Sequence, residues 1–412
     1  MESSVNKTEV LAPAGDEECF YAAVDYGADA VYLGRESYGM RAAPHNFDFE
    51  TLKKAVAYAH KNNVRVYLTC NILPRNSEID GFRQYMEEAV AANADAVIVS
   101  DLGLLGLVKK YAPHMEIHMS TQTGIVNYAA ANELYNMGVK RVVLARELSL
   151  EEIAEIRAKT SPDLDIEAFV HGAMCVSFSG RCLLSQYMTN RDPNRGQCAQ
   201  PCRWGYYLME ETREGTYFPV FEDKKGTYIL NSRDMCMINH VDDVIGAGVT
   251  SLKIEGRAKS AYYVSIITNA YRMAVDIYKK DPEHFTLPKW LEEEVLKISH
   301  RSYCSGFFYG RPEEGQYYAD SGYIRKYDAA AVVEETRDGR IFCVQKNKFT
   351  VGDTVEILSP GKKFVEVTVS DLRDEDDLPI ESTCHAAMKF SMAAPEVAVF
   401  PKNSIVRISR EQ

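Results

Sequence analysis

The chain has 412 residues, 46% of them hydrophobic, and carries a net charge of −12. That length exceeds one ordinary compact domain and argues for two, and no run of about 20 apolar residues marks a membrane span. The acidic balance excludes a bulk nucleic-acid binder, so any RNA contact must come from a local basic patch.

The opening MESSVNKTEV lacks the charged-then-apolar pattern of a secretory leader, so a cytoplasmic protein with reduced thiols is expected. From there, short apolar runs alternate with helix-length segments. TEVLAPAG, DAVYLG, VRVYLTCN, DAVIVS, EIHMST, KRVVLARE and DIEAFVHG read as strands, followed by GTYILNSRD and TSLKIEGR. Most are apolar on both faces, as parallel strands covered by helices require. Gly27, Asn63, Asn93 and Gly138 close the intervening helices at positions that call for positive φ. Seven or eight such β-α units predict an α/β fold, a TIM-like (β/α)8 barrel with irregular closure, over residues 1–280. A doubly wound open sheet is the alternative. Residues 281–320 read as a connector, with the charged stretch LPKWLEEEVLKISHR and the aromatic SYCSGFFYG. From 321 to 412 the period changes to two. AAAVVEETRDGRIFCVQ, DTVEILSPG, KFVEVTV and SIVRIS predict a small C-terminal β-barrel domain.

Strand C-termini of such a barrel line its active-site mouth. Here they hold Asn71, Ser100, Asp101, Ser120, Thr121, Gln122, Arg146, Glu147, His171, Lys253, Glu255 and Arg257. Some of these would be helix caps or structural ion pairs. In KIEGR, period two puts Lys253 and Glu255 on one strand face, either as site residues or as a buried pair without function. Gly256 then lets the backbone turn before Arg257.

Four of the ten cysteines crowd one segment, 171–204, an insertion after the seventh strand. Cys175 and Cys182 are spaced C-x6-C; after fifteen intervening residues come Cys198 and Cys202, spaced C-x3-C. Four thiolates suit a [4Fe–4S] cluster or tetrahedral zinc. Neither pair is a zinc knuckle, which favours iron, while inert buried thiols remain a third reading. Cys236 is a substitute ligand. The other cysteines, Cys19, Cys70, Cys304, Cys343 and Cys384, are scattered singly and read as isolated thiols. The same segment is locally basic: Arg181, Arg191, Arg195 and Arg203 face only Asp192, with Tyr187 and Trp204 interleaved. Arginine with stacking aromatics suits an unpaired RNA loop; screening of a negative thiolate cluster would explain the arginines equally well.

EAFVHGAMCVSFSGRCLLS, together with LAPAGD, LKIEGR and HRSYCSGFFYG, resembles the U32 peptidase family, also called collagenase-like. The resemblance spans nearly the whole chain and is closest to a branch of oxygen-independent hydroxylases that act on tRNA. It implies a [4Fe–4S] cluster on Cys175, Cys182, Cys198 and Cys202, with 5-hydroxyuridine at the wobble position as product. It also implies prephenate as hydroxyl donor. Lys253, Glu255, Arg257 and His171 are then the expected catalytic set, with Arg146 joining Lys253, Arg257 and His171 around a small dicarboxylate. Arg203, Trp204 and Tyr187 would bind the tRNA. No membrane partner is expected; a paralogue or a second copy of the chain would be the protein partner. The family's older label implies a peptidase instead, although the chain has neither a G-x-S-x-G elbow nor an HExxH helix. A non-catalytic cluster carrier is the third alternative.

Overall fold

The computed structural model describes residues 8–39, 47–174, 182, 184–192, 197–201, 221–223, 226–228, 233–310, 323–395 and 399–410. Eight parallel strands close into a barrel: β1 (Glu9–Ala14), β2 (Ala30–Leu33), β3 (Arg65–Cys70), β4 (Ala96–Val99), β5 (Glu116–Met119), β6 (Arg141–Val143), β7 (Asp165–Ala173) and β11 (Ser251–Ile254). Consecutive strands pair from β1 to β7, and β11 then bridges β7 to β1. The closure carries a register shift between Lys253 and Ile254.

Local chemistry explains why the units form where they do. Asp16, Asp48, Asp101, Asn127, Ser149 and Ser260 each accept a first-turn backbone N–H, so the strand-to-helix loops end in side-chain caps. The helices end as the sequence predicts. Gly27, Asn63, Asn93 and Gly138 all take φ between 59° and 91°. Between the helices and the outer barrel face lies the main apolar core, to which the long helix Ala261–Lys280 contributes Val264, Ile267, Tyr271 and Val275. Inside the barrel a smaller apolar layer, Leu11, Tyr32, Tyr67, Ala96 and Ile98, sits beside a buried polar network.

GTYILNSRD does not become a stave. Gly226–Tyr228 (β9) forms a hairpin with Phe221–Asp223 (β8), residues 229–232 lie outside the described residues, and Asp234–Cys236 (β10) runs antiparallel to β7. The reason is the length of β7. At nine residues it outruns the barrel: Glu167 to His171 pair with β11, and the last three, His171 to Ala173, pair with β10. Tyr303–Cys304 (β12) then adds to β10.

The C-terminal strands form a seven-stranded antiparallel sheet, a half-barrel rather than a closed one. They are β13 (Tyr327–Arg337), β14 (Arg340–Gln345), β15 (Thr354–Leu358), β16 (Val365–Thr368), β17 (Arg373–Asp374), β18 (Lys389–Ala393) and β19 (Ile405–Ser409), in the order β16-β15-β19-β13-β14-β18-β17. It wraps its own core of Val333, Ile341, Val355, Phe390, Met392 and Val406. An ion cluster ties this sheet to the helix Lys289–Glu294. Arg407, fully buried, grips both oxygens of Glu294 at 2.6 and 2.8 Å and donates from Nε to Glu356 at 2.7 Å. Lys297 reaches Glu356 at 2.8 Å. No described helix is long and apolar enough to cross a membrane.

Candidate active site

The inward-facing polar residues of the barrel form one connected network. Arg141 donates to Glu9 at 2.6 Å and to Glu167 at 3.2 Å, and Ser251 donates to Glu9 at 2.9 Å. Burial pushes the Glu9 carboxyl up, but the Arg141 guanidinium outweighs it and leaves the group at about 2. Glu167, fully buried, is likewise held below its usual range because Lys253 and Arg141 overcome desolvation. The interior therefore holds two ionised carboxylates, each paired to a cation.

Above this layer lies the mouth. Lys253 Nζ sits 2.6 Å from Glu167 Oε1 and 4.5 Å from the Tyr32 ring centre, with Phe169 at 5.4 Å. The Arg146 guanidinium carbon lies over the same Phe169 ring, 3.8 Å from its centre, so one ring spaces two cations. Arg146 also donates to the Ala173 carbonyl at 2.7 Å and faces Glu255 at 3.8 Å. Arg257 donates to Thr69 at 2.9 Å, across the mouth at the end of β3. Its backbone passes so close to the first strand-helix loop that a Cβ on Gly15 would come 2.0 Å from the Arg257 carbonyl oxygen. Only glycine fits there. On the far side Ser100 donates to Gln122 at 2.8 Å. Asp101 and Ser120 serve as caps.

The expected residues thus separate into two groups. Arg146, Lys253, Glu255 and Arg257 gather at the mouth. The buried Lys–Glu pair is Lys253 with Glu167, not with Glu255: β11 ends at Ile254, so period two does not carry on to Glu255, which faces Arg146 instead. His171 stands apart. Its ring lies among Tyr263, Tyr271 and Tyr303, at 6.0, 5.5 and 5.3 Å between ring centres, where the helix Ala261–Lys280 and β12 cover β7. Its nitrogens lie 3.4 Å from the hydroxyls of Tyr271 and Tyr303. Desolvation, with His300 and Lys259 adding to it, pushes the imidazole down to about 3. His171 is therefore neutral near pH 7 and adds no charge to an anion site.

Phe169, Tyr32 and Thr69 at the mouth, and Glu167 in the layer beneath it, were not singled out from sequence. Glu167 did leave a signal, as did Glu9 and Arg141. A charge inside an otherwise apolar stave has to point into the barrel and find a partner there.

The cysteine segment leaves β7 at this same end. Cys182 is partly exposed and Cys198 exposed. Ser185, on the helix Leu184–Thr189, accepts from the Ala199 backbone N–H at 3.0 Å, which stitches the neighbourhood of Cys198 to the helix that follows Cys182. Cys175, Cys202, Arg203 and Trp204 lie outside the described residues, as does the Tyr187 side chain. Thiols of this exposure are the donor type that an iron–sulfur cluster takes. Cys236 ends β10 opposite His171, and burial raises its thiol to about 12. Cys19, Cys70 and Cys343 are buried thiols raised in the same way.

Residues 15–317 match the model of peptidase family U32, and 325–407 match its C-terminal domain. The tRNA hydroxylation protein P1 of Bacillus subtilis is 36% identical over 404 residues, covering 96% of this chain and 94% of that one. The tRNA hydroxylation protein P of Escherichia coli is 38% identical over 396 residues, 86% of each chain. A Porphyromonas gingivalis protein named collagenase is 31% identical over 387 residues, covering 90% of this chain and 91% of that one. With both its barrel and its C-terminal sheet matched in sequence order, the chain belongs to peptidase family U32.

Proposed function

We propose that the chain is an iron–sulfur-dependent, oxygen-independent tRNA hydroxylase that forms 5-hydroxyuridine at the wobble position with prephenate as hydroxyl donor. The observation that carries this reading is the gathering of Arg146, Lys253 and Arg257 at the barrel mouth, where β7 runs into the cysteine segment. The names of the relatives supply the tRNA and the hydroxylation. Cys175, Cys182, Cys198 and Cys202 would hold the cluster, which would supply electron transfer when bound.

The chain's own residues then do the rest. Arg257 and Arg146 take the carboxylates of a small dicarboxylate, since guanidinium forks match carboxylate geometry. Lys253, 2.6 Å from Glu167, sets the potential at the floor of the mouth. Phe169 and Tyr32 give a ring-shaped donor an apolar wall. Glu255, facing Arg146, fixes the guanidinium's angle. Such an enzyme would work in the cytoplasm, alone or with a paralogue or a second copy of itself.

The deciding experiment compares tRNA nucleosides from a deletion strain and its parent. Loss of 5-hydroxyuridine, restored by the gene, supports the reading. Unchanged tRNA together with a proteolytic activity restored by purified protein supports the peptidase reading that the P. gingivalis relative's name raises. Purified holoprotein that carries iron yet makes product only with a second protein supports the carrier reading.

A further inference from the structure

We infer that Gln122 reads the edge of the uracil base at the barrel mouth, and that Ser100 fixes which way its amide faces. This rests on the tRNA reading and adds a base-recognition site to it.

Gln122 lies in the short turn Thr121–Thr123, soon after β5. β3, β4 and β5 are neighbouring staves, so their C-terminal ends make one half of the rim. Ser100, which follows β4, donates to Gln122 Oε1 at 2.8 Å and faces the Asn71 carbonyl, which follows β3, at 3.1 Å. The amide thus lies across the strand ends. Its Nε2 is buried and, among the described residues, has no hydrogen-bond partner. A carboxamide nitrogen carries two donors and its oxygen two lone pairs, of which Ser100 takes one. The side chain therefore presents unclaimed donors beside a spare acceptor. Burying such a group unpaired is unfavourable, so its presence at the mouth suits a ligand that completes it.

The chemistry around the amide selects the ligand. Arg146 and Lys253, with Phe169 between them, belong to the half of the rim built by β6, β7 and β11. At Gln122 the groups are neutral: an amide, a hydroxyl and a backbone carbonyl. Asp101, next to Ser100, turns its carboxylate onto the Leu104 N–H at 3.0 Å as a helix cap. An anion is drawn to the first half, whereas a neutral ring with a hydrogen-bonding edge fits the second. Uracil offers O4 as acceptor beside N3–H as donor, the complement of an amide N–H beside its C=O. Cytosine offers the reverse order, with the N4 amino group as donor beside N3 as acceptor. An unrestrained amide could meet either base by turning over. Here Ser100 holds the oxygen end, and an amide held that way favours uracil. Shielding from water strengthens both bonds.

The test compares binding of purified holoprotein to two tRNA transcripts that differ only in carrying uridine or cytidine at the wobble position. The parent should prefer uridine by about 5- to 100-fold, the range of one two-bond base contact. Gln122→Leu, which keeps the bulk but removes both polar atoms, should bind the two transcripts alike. Ser100→Ala keeps the amide but releases it, so the preference should narrow through a gain in cytidine binding. A purely structural role would instead weaken both transcripts together and leave their ratio as in the parent. If the parent prefers uridine and Gln122→Leu keeps that preference, another group reads the base: the inference fails and the tRNA reading stands. Full preference retained in Ser100→Ala would overturn the part given to Ser100. A parent that binds both transcripts equally also overturns the inference without touching the tRNA reading. If the parent binds neither transcript, the base site and the tRNA reading fall together.

Discussion

Acidification should destabilise the fold through His171 before the carboxylates begin to protonate. An unfolded histidine titrates near 6.5, whereas the buried His171 is pushed down to about 3. The folded state therefore binds fewer protons than the unfolded one between those values. Its stability is complete above the unfolded value and falls as pH drops toward the folded one. For this one group, moving from about pH 7 to about pH 5 costs about 2 kcal/mol, because the unfolded imidazole gains a proton that the folded one cannot accept. His118 and His300 are lowered in the same direction, also mainly by burial, so the parent should lose more than this in total. The assay is urea unfolding at both pH values, on the parent and on His171→Gln. Glutamine keeps two polar groups near the Tyr271 and Tyr303 hydroxyls but does not titrate. The pH-dependent loss should shrink by about 2 kcal/mol in the variant. An equal loss in both proteins would refute the placement of His171 as a buried neutral ring, and would reopen its role as a cation at the mouth.

Arg407→Met leaves Glu294 and Glu356 buried with only Lys297 between them, and should cost about 3–5 kcal/mol. Calorimetry would read this as a fall in Tm of about 3–6 °C; an unchanged Tm would remove the ion cluster as the tie between barrel and sheet. Glu9, held at about 2, contributes stability above 4.5 that is lost between 4.5 and about 2, so Glu9→Gln should flatten acid unfolding in that range. In cells, Lys253→Ala and Arg257→Ala should abolish wobble-uridine hydroxylation while the purified proteins keep their iron. Cys182→Ala should lose iron and product together; iron retained in that variant but lost in Cys236→Ala would move a ligand to Cys236.

Much of this fold is a matter of local pattern. Apolar runs such as DAVYLG and DAVIVS specify buried parallel strands, Asp16 and Ser149 specify helix starts, and Asn63 and Asn93 specify helix ends, because burial period, capping and positive φ act within a few residues. The positions of Arg146, Lys253 and Arg257 at strand ends follow from the same periodicity. At two residues, β17 left too few for a pattern to register. An irregular closure was legible, but how β7 divides between its partners was not: β7 chooses β11 for the barrel and β10 for its overhang by long-range register, which neighbouring residues do not encode. Charge state was equally distant. His171 and Arg146 both follow apolar stretches near strand ends, yet one is a neutral ring among tyrosines and the other a cation on Phe169. Sequence determined which residues could carry charge at this end of the barrel. Only the tertiary structure decided which of them do, because desolvation and partner distance are set by elements far apart in the chain.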